Sequence, residues 1–366
     1  MYLQPKELHE QTTADYFVAR RYRKVRVDMS ERLMMANWMG INMRRASAGP
    51  AMAAIAAVAA VCLAGPPATA QTYGLATMQP GTLAHTTGSA LAKVLKEKGG
   101  LHILVQTTAG ESVLIPMVAR GEIDLGIANL AEVQAQVEGS GPNRQADLRL
   151  IGVLHPLWAS FFVRKDTTMK ANADMKGKRI ALGYSAMRTV DTLVKAQLAL
   201  GGLAAKDVTP VLVPNVLRGA DEFISGAVDA LYFGFGAPKV READASVGGI
   251  RALDASASPE RLAESRKLFP YGYLTPTSPA PLFVGVTEPI NVYTIDYMLF
   301  TNAKTKDEVV YKIIDTLAKY KPDLISIAPH LQSFNLAMLY KKFDMPYHPG
   351  ALKYFADQKL QAVEIR

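Results

Sequence analysis

Cysteine is almost missing from this sequence: 366 residues hold one, Cys62, and it falls in a segment that reads as removable. A mature chain without it has no disulfide, no thiolate nucleophile and no cysteine-ligated metal, which suits a protein exported to a bacterial periplasm. Long apolar runs are missing after residue 70, so nothing there is expected to span a bilayer. Enzyme signatures are missing too. His85, His102, His155, His330 and His348 show no HExxH or other close metal spacing, no serine lies in GxSxG, and there is no Walker A loop. Gly234-Phe235-Gly236 follows a strand-like run, but Ala237-Pro238-Lys239 does not complete GxGxxG, and the proline is expected to interrupt a helix start. No catalytic residue, metal site or cofactor is assigned, and the chain reads as a binder. A periplasmic enzyme on the same fold stays open as the lesser alternative, beside a ligand-binding module for a periplasmic sensor.

Charge of one sign is scarce where it would matter. The formal net charge is +8, but residues 1–70 carry half of it, with 9 Lys/Arg against 5 Asp/Glu. Nucleic acid as a partner therefore gains no support. Arg44 and Arg45 precede AMAAIAAVAAVCLAG (51–65), which is short for a membrane span, and Ala68-Thr69-Ala70 supplies small residues at signal-peptidase offsets. Residues 1–70 are thus expected to be an N-terminal extension and signal peptide, cleaved after Ala70. The basic ARRYRKVR (19–26) is unusual for a signal, and a start at Met29, Met34, Met35, Met39 or Met43 is expected. An uncleaved anchor is the alternative, and Val61 before Cys62 is a poor match to a lipidation site.

After Gln71, short β-rich runs alternate with helical ones, which predicts an α/β fold with a mainly parallel sheet. One succession occurs twice. Strand LHILVQTT (101–108), a helix ending at Gly121 and strand DLGIANL correspond to strand VTPVLVP (208–214), a helix ending at Gly226 and strand DALYFGFG. Each glycine suits a left-handed helix end. Asp124 and Asp229 sit at strand entries, where a carboxylate that satisfies backbone N–H groups is expected. Residues 148–166 read as two β runs broken at His155-Pro156, and 241–285 resist assignment.

Five stretches, GTLAHTTGSALAKVL (81–95), TTAGESVLIPMVARGEIDLGIAN (107–129), DMKGKRIALG (174–183), GAVDALYFGFGAPKV (226–240) and MPYHPGALKYF (345–355), together resemble the TAXI family of TRAP transporter solute receptors. The resemblance covers about 75–360. It implies an α/β, two-lobed periplasmic binding protein of type II-like fold, with lobe I from 71–164 plus 288–366, lobe II from 165–287 and the ligand cleft between them. It implies hinge closure on a small organic carboxylate and delivery to a TRAP-type membrane permease. Two turns depart from the family pattern, at Leu83, Ala84 and His85 and at Tyr184 to Thr189, so the family's better-known ligands do not transfer.

Four segments are expected to converge on the cleft. Gly81 and Thr82, with His85, open a helix whose free N–H groups suit an anion, or are simply capped. Thr108, Gly110 and Ser112 open another, and Asn129 ends the strand after it. Ser185, Arg188 and Thr189 form the third, where the guanidinium offers a two-point contact to a carboxylate or else a solvated rim charge. Phe235 and Gly236, with Trp158, point to an apolar or aromatic part of the ligand, or to core and hinge packing. His348 is expected to hold a turn. Export should leave Gln71 as the first residue, so an intact mass of the secreted protein retaining any of residues 1–70 contradicts the signal-peptide assignment.

Overall fold

The structure is a computed structural model that describes residues 71–139 and 144–364; the extension, the signal segment and Cys62 lie outside them. The described chain belongs to one compact unit, Ala70–Arg366. Among the described residues no helix is long and apolar enough to cross a membrane.

The first part runs β1 (Thr72–Met78), α1 (Leu83–Glu97), β2 (His102–Thr108), α2 (Glu111–Arg120), β3 (Leu125–Asn129) and α3 (Leu130–Glu138). Strand β4 (Leu148–Arg164) leads to β5 (Arg179–Leu182), α4 (Val190–Leu200), β6 (Thr209–Leu212), α5 (Val216–Ser225), β7 (Leu231–Gly234), α6 (Pro238–Ser246), β8 (Ile250–Ala252), α7 (Pro259–Leu268) and β9 (Tyr273–Thr277). Strand β10 (Ile290–Asn302) returns, followed by α8 (Asp307–Lys319), α9 (Lys321–Ile327), α10 (Leu336–Leu339) and α11 (Pro349–Asp357).

The main sheet has the order β2-β1-β3-β10-β4-β7, with β8 on β4 and β9 on β10, while β5 and β6 form a separate parallel pair. It is mixed, which corrects the expectation of a mainly parallel sheet. β1 is parallel to β2 and β3, but β10 lies antiparallel to β3, β4 and β9, and β4 antiparallel to β7 and β8. The cause is that β4 and β10 are long strands running in opposite directions side by side, with β3 and β9 paired along β10 and β7 and β8 along β4. Nor is β4 broken at His155-Pro156. Pro156 stands opposite Asp296, next to a register irregularity between Tyr297 and Met298, the kind of place where a strand tolerates a residue without N–H. Pro238 does not interrupt a helix start either. It is the first residue of α6, where its missing N–H would have had no intrahelical partner. The stretch 241–285 resolves into the end of α6, β8, α7 and β9.

The repeated unit is present in detail. Gly121 and Gly226 end α2 and α5 with φ of 77° and 83°. Asp124 Oδ2 accepts from Gly74 N at 2.7 Å, and Asp229 Oδ2 from Arg179 N at 2.7 Å, each reaching back 50 residues to the start of an earlier strand. Asp229 also holds the Arg179 guanidinium at 2.6 Å, which keeps its carboxyl below the usual carboxylate range. These aspartates clamp one strand entry to another and stand away from the cleft. Asp124→Ala should cost about 1.5–3 kcal/mol, the worth of a hydrogen bond to a charged group, read as a lower urea midpoint with unchanged slope.

Candidate functional site

The C-terminal ends of β1, β2 and β3 and the helix starts that follow them face residues 186–239. The two sides of this seam touch through hydrogen bonds. Ser112 N donates to Ala186 O at 3.2 Å, Arg188 N to Ser112 Oγ at 2.9 Å and Thr189 N to Glu132 at 3.0 Å. Asn215 Nδ2 donates to Ala109 O at 3.2 Å and Lys239 N to Gly81 O at 3.1 Å. Gly110 makes the closeness possible: a Cβ there would lie 2.1 Å from Ala186 O, which is fixed backbone.

Beneath the seam is a cavity of about 50 Å³ that opens to solvent through a mouth. Met78, Thr82, Leu83, Glu111, Asn129 and Tyr297 line it from the first lobe's elements and β10. Met187, Val190, Leu193, Val216, Tyr232 and Phe233 line it from the second, and Leu157 and Ala159 of β4 complete the wall. No lysine, arginine or histidine is among the described residues that line it.

Its one acid is Glu111, the first residue of α2 and 1% exposed. Oε1 accepts from Tyr297 Oη at 2.7 Å and Asn129 N at 3.1 Å, and Oε2 accepts from Asn129 Nδ2. A second buried acid stands beside it. Glu132 N donates to Asn129 Oδ1 at 3.0 Å, and the Glu132 carboxylate accepts from Ser112 Oγ and from both the N–H and the hydroxyl of Thr189. Burial first, and then the charge of Glu132, push the Glu111 carboxyl up to about 8, against the opposing bonds from Tyr297 and Asn129.

Tyr297 is itself held by packing. Its ring stacks on His155 at 5.4 Å. His155 Nδ1 lies 2.9 Å from Pro156 O, and the Thr87 hydroxyl lies between His155 Nε2 at 3.2 Å and His330 Nε2 at 2.8 Å. One arrangement satisfies all three groups with neutral rings: His330 donates to Thr87, Thr87 donates to His155, and His155 donates to Pro156 O. Burial pushes His155 down to about 4 and His330 to about 2, consistent with rings that stay neutral.

Of the residues singled out in the sequence, Thr82 and Asn129 line the cavity. Gly81, Gly110, Ser112 and Thr189 build the seam. Arg188 contributes its backbone N–H to the seam, and its exposed side chain lines a polar groove with Arg120, Ser112, Glu132 and Thr189 and is not among the residues that line the cavity. Phe235 is fully buried between Phe162 and Phe283, and Trp158 meets Phe283 edge-on at 5.4 Å; both pack away from the cavity wall. Thr108 closes its own turn by donating to Thr77 O and Gly110 O, and His85 lies 3.5 Å from Thr77 Oγ1. Ser185 is exposed. Gly236 has φ of 80° and packs by Leu83 and Leu282. His348 caps α11 by accepting from Gly350 N at 3.1 Å, the turn-holding role expected of it. Glu111, Tyr297 and Tyr232 were missed. An acid at the start of a helix normally faces water, and no local signal in AGES marks this one as buried.

The family model described as the NMT1-like family matches residues 75–358. Among solved structures, a periplasmic transporter is similar at a TM-score of 0.52 and 13% identity, over 80% of this chain and 94% of that one. The putative sulfonate-binding protein SsuA from Methylobacillus flagellatus matches at 0.47 and 16%, over 80% and 96%. The periplasmic VFT2 domain of BvgS from Bordetella pertussis matches at 0.44 and 14%, over 71% and 93%. The fold is that of the two-lobed periplasmic binding proteins, and the chain belongs to the NMT1-like family.

Proposed function

We propose that the protein is a periplasmic solute receptor that captures a small organic molecule by closure of two lobes and hands it to a TRAP-type membrane permease. The observation that carries this reading is the cavity itself: residues from both sides of the seam wall it, and hydrogen bonds across that seam hold the two sides together over it. We take the moving bodies to be 71–164 with 288–366 and 165–287, meeting where β4 and β10 of the first pair with β7, β8 and β9 of the second. Closure around a solute excludes water and shifts the population toward the form a permease reads. The TRAP assignment rests on the five sequence stretches that resemble TAXI receptors. The wall favours a solute with an apolar body. A carboxylate on it would meet the N–H groups at the start of α1, beside Thr82 and Leu83, since no cationic side chain lines the cavity.

A thermal-shift screen of the processed protein, unfolded and refolded to free it of host solute, tests the receptor reading. A true solute at about 100 times its Kd adds roughly 2.7 kcal/mol. A flat response to amines, amino acids, keto acids, dicarboxylates and aromatic acids contradicts it. Gly110→Ala should weaken any hit by at least about tenfold, because the new methyl meets Ala186 O only when the lobes close. The melting point without solute should change little, and unchanged affinity would show that this seam does not form on binding.

A further inference from the structure

We infer that the solute carries a protonated nitrogen and that Glu111 is the residue that receives it. The inference rests on the receptor reading and names the chemistry of the same cavity. Three donors already reach the Glu111 carboxyl, two on Oε1 and one on Oε2, which leaves one acceptor position on Oε2. Glu132, linked to it through Asn129, has its own oxygens taken by Ser112 and Thr189. Two carboxyl groups are thus buried side by side, and none of the hydrogen bonds to either comes from a lysine or arginine. An anionic head placed at Glu111 would meet the charge of Glu132 beside it, whereas a cation lets Glu111 ionise and pairs with it.

The walls fit the same occupant. Tyr232, Phe233 and Tyr297 contribute aromatic rings and Met78 and Met187 thioethers, surfaces that hold an organic cation well.

Proton linkage gives the inference a signature. With Glu111 pushed up to about 8, its carboxyl is mostly protonated at pH 6–7 in the empty site, and a cation must displace that proton. Affinity for an amine should therefore rise about tenfold per unit between pH 6 and 7.5 and level off above 8, while an acid should bind more weakly as pH rises. The nearby histidines and tyrosines do not imitate this. Glu132 on α3 is the neighbour whose field helps raise Glu111, His155 behind Tyr297 on β4 is pushed down to about 4, His85 on α1 is lowered by burial, and Tyr297 on β10 and Tyr232 on β7 are raised above the ordinary tyrosine range.

The experiment is calorimetric titration of the refolded processed protein, from pH 6 to 9, with matched probes: phenethylamine against 3-phenylpropionate and pentylamine against hexanoate. Amine binding that rises with pH, and that Glu111→Gln weakens at least tenfold while flattening its pH profile, is the expected result. Should Glu111→Gln fail to fold by circular dichroism, the wild-type profiles decide alone. Preference for the acids, or amine affinity that does not rise between pH 6 and 7.5, overturns the inference and leaves the receptor reading standing. Absence of binding by either member of both pairs overturns the inference, and the broader thermal-shift screen then separately decides the receptor reading.

Discussion

Two carboxyl groups buried together, with no cationic side chain among the described residues hydrogen-bonded to them, constrain the rest of this molecule. Glu111 and Glu132 are each 1% exposed, and the cost of removing them from water is met by hydrogen bonds drawn from separate elements. Asn129, at the junction of β3 and α3, serves both. Tyr297 reaches Glu111 from β10, and Thr189 reaches Glu132 from the other lobe. One acid therefore faces the cavity while its neighbour ties the seam, so anything that alters the charge at the first is felt next to the contact that closes the lobes.

That coupling depends on how the lobes are joined. Two antiparallel strands, β4 and β10, pair with each other and with β7, β8 and β9, and their meeting at Pro156 and Asp296 lies next to a register irregularity. Close by, Asp296 pairs with Lys341 at 2.6 Å, both nearly buried, which anchors the segment after α10 to the crossing strand. A buried pair of this kind contributes little net stability but penalises rearrangement strongly, because parting it strands a charge. The crossing is thus braced on one side and, on the other, carries Tyr297 against His155 at the cavity wall.

Much of the fold was legible in the sequence because it is written in local signals. Alternating apolar runs gave the strands, and Gly121 and Gly226 marked the two helix ends that reveal a repeated unit. Asp124 and Asp229 were legible as structural because they sit at strand entries, opposite the ends where ligands gather. Strand direction was not legible, since β4 and β10 take theirs from partners far away in sequence. The site was legible only at Thr82 and Asn129, which cap helices facing the cleft. Arg188 drew attention as a charge at a helix start, yet its side chain turns to solvent; Glu111, one residue beyond a turn already singled out, matters through burial, which a single sequence does not display.

The central claim is that solute closes the two lobes. It is tested most directly by the distance between spin labels on Val113→Cys of α2 and Leu212→Cys of β6, exposed positions on opposite lobes, 43% and 78% accessible. Residues 71–366 contain no native cysteine, so the labels are unambiguous. The account predicts one short distance at saturating solute and a longer, broader distribution after the solute is removed. The same distribution in both states would contradict it.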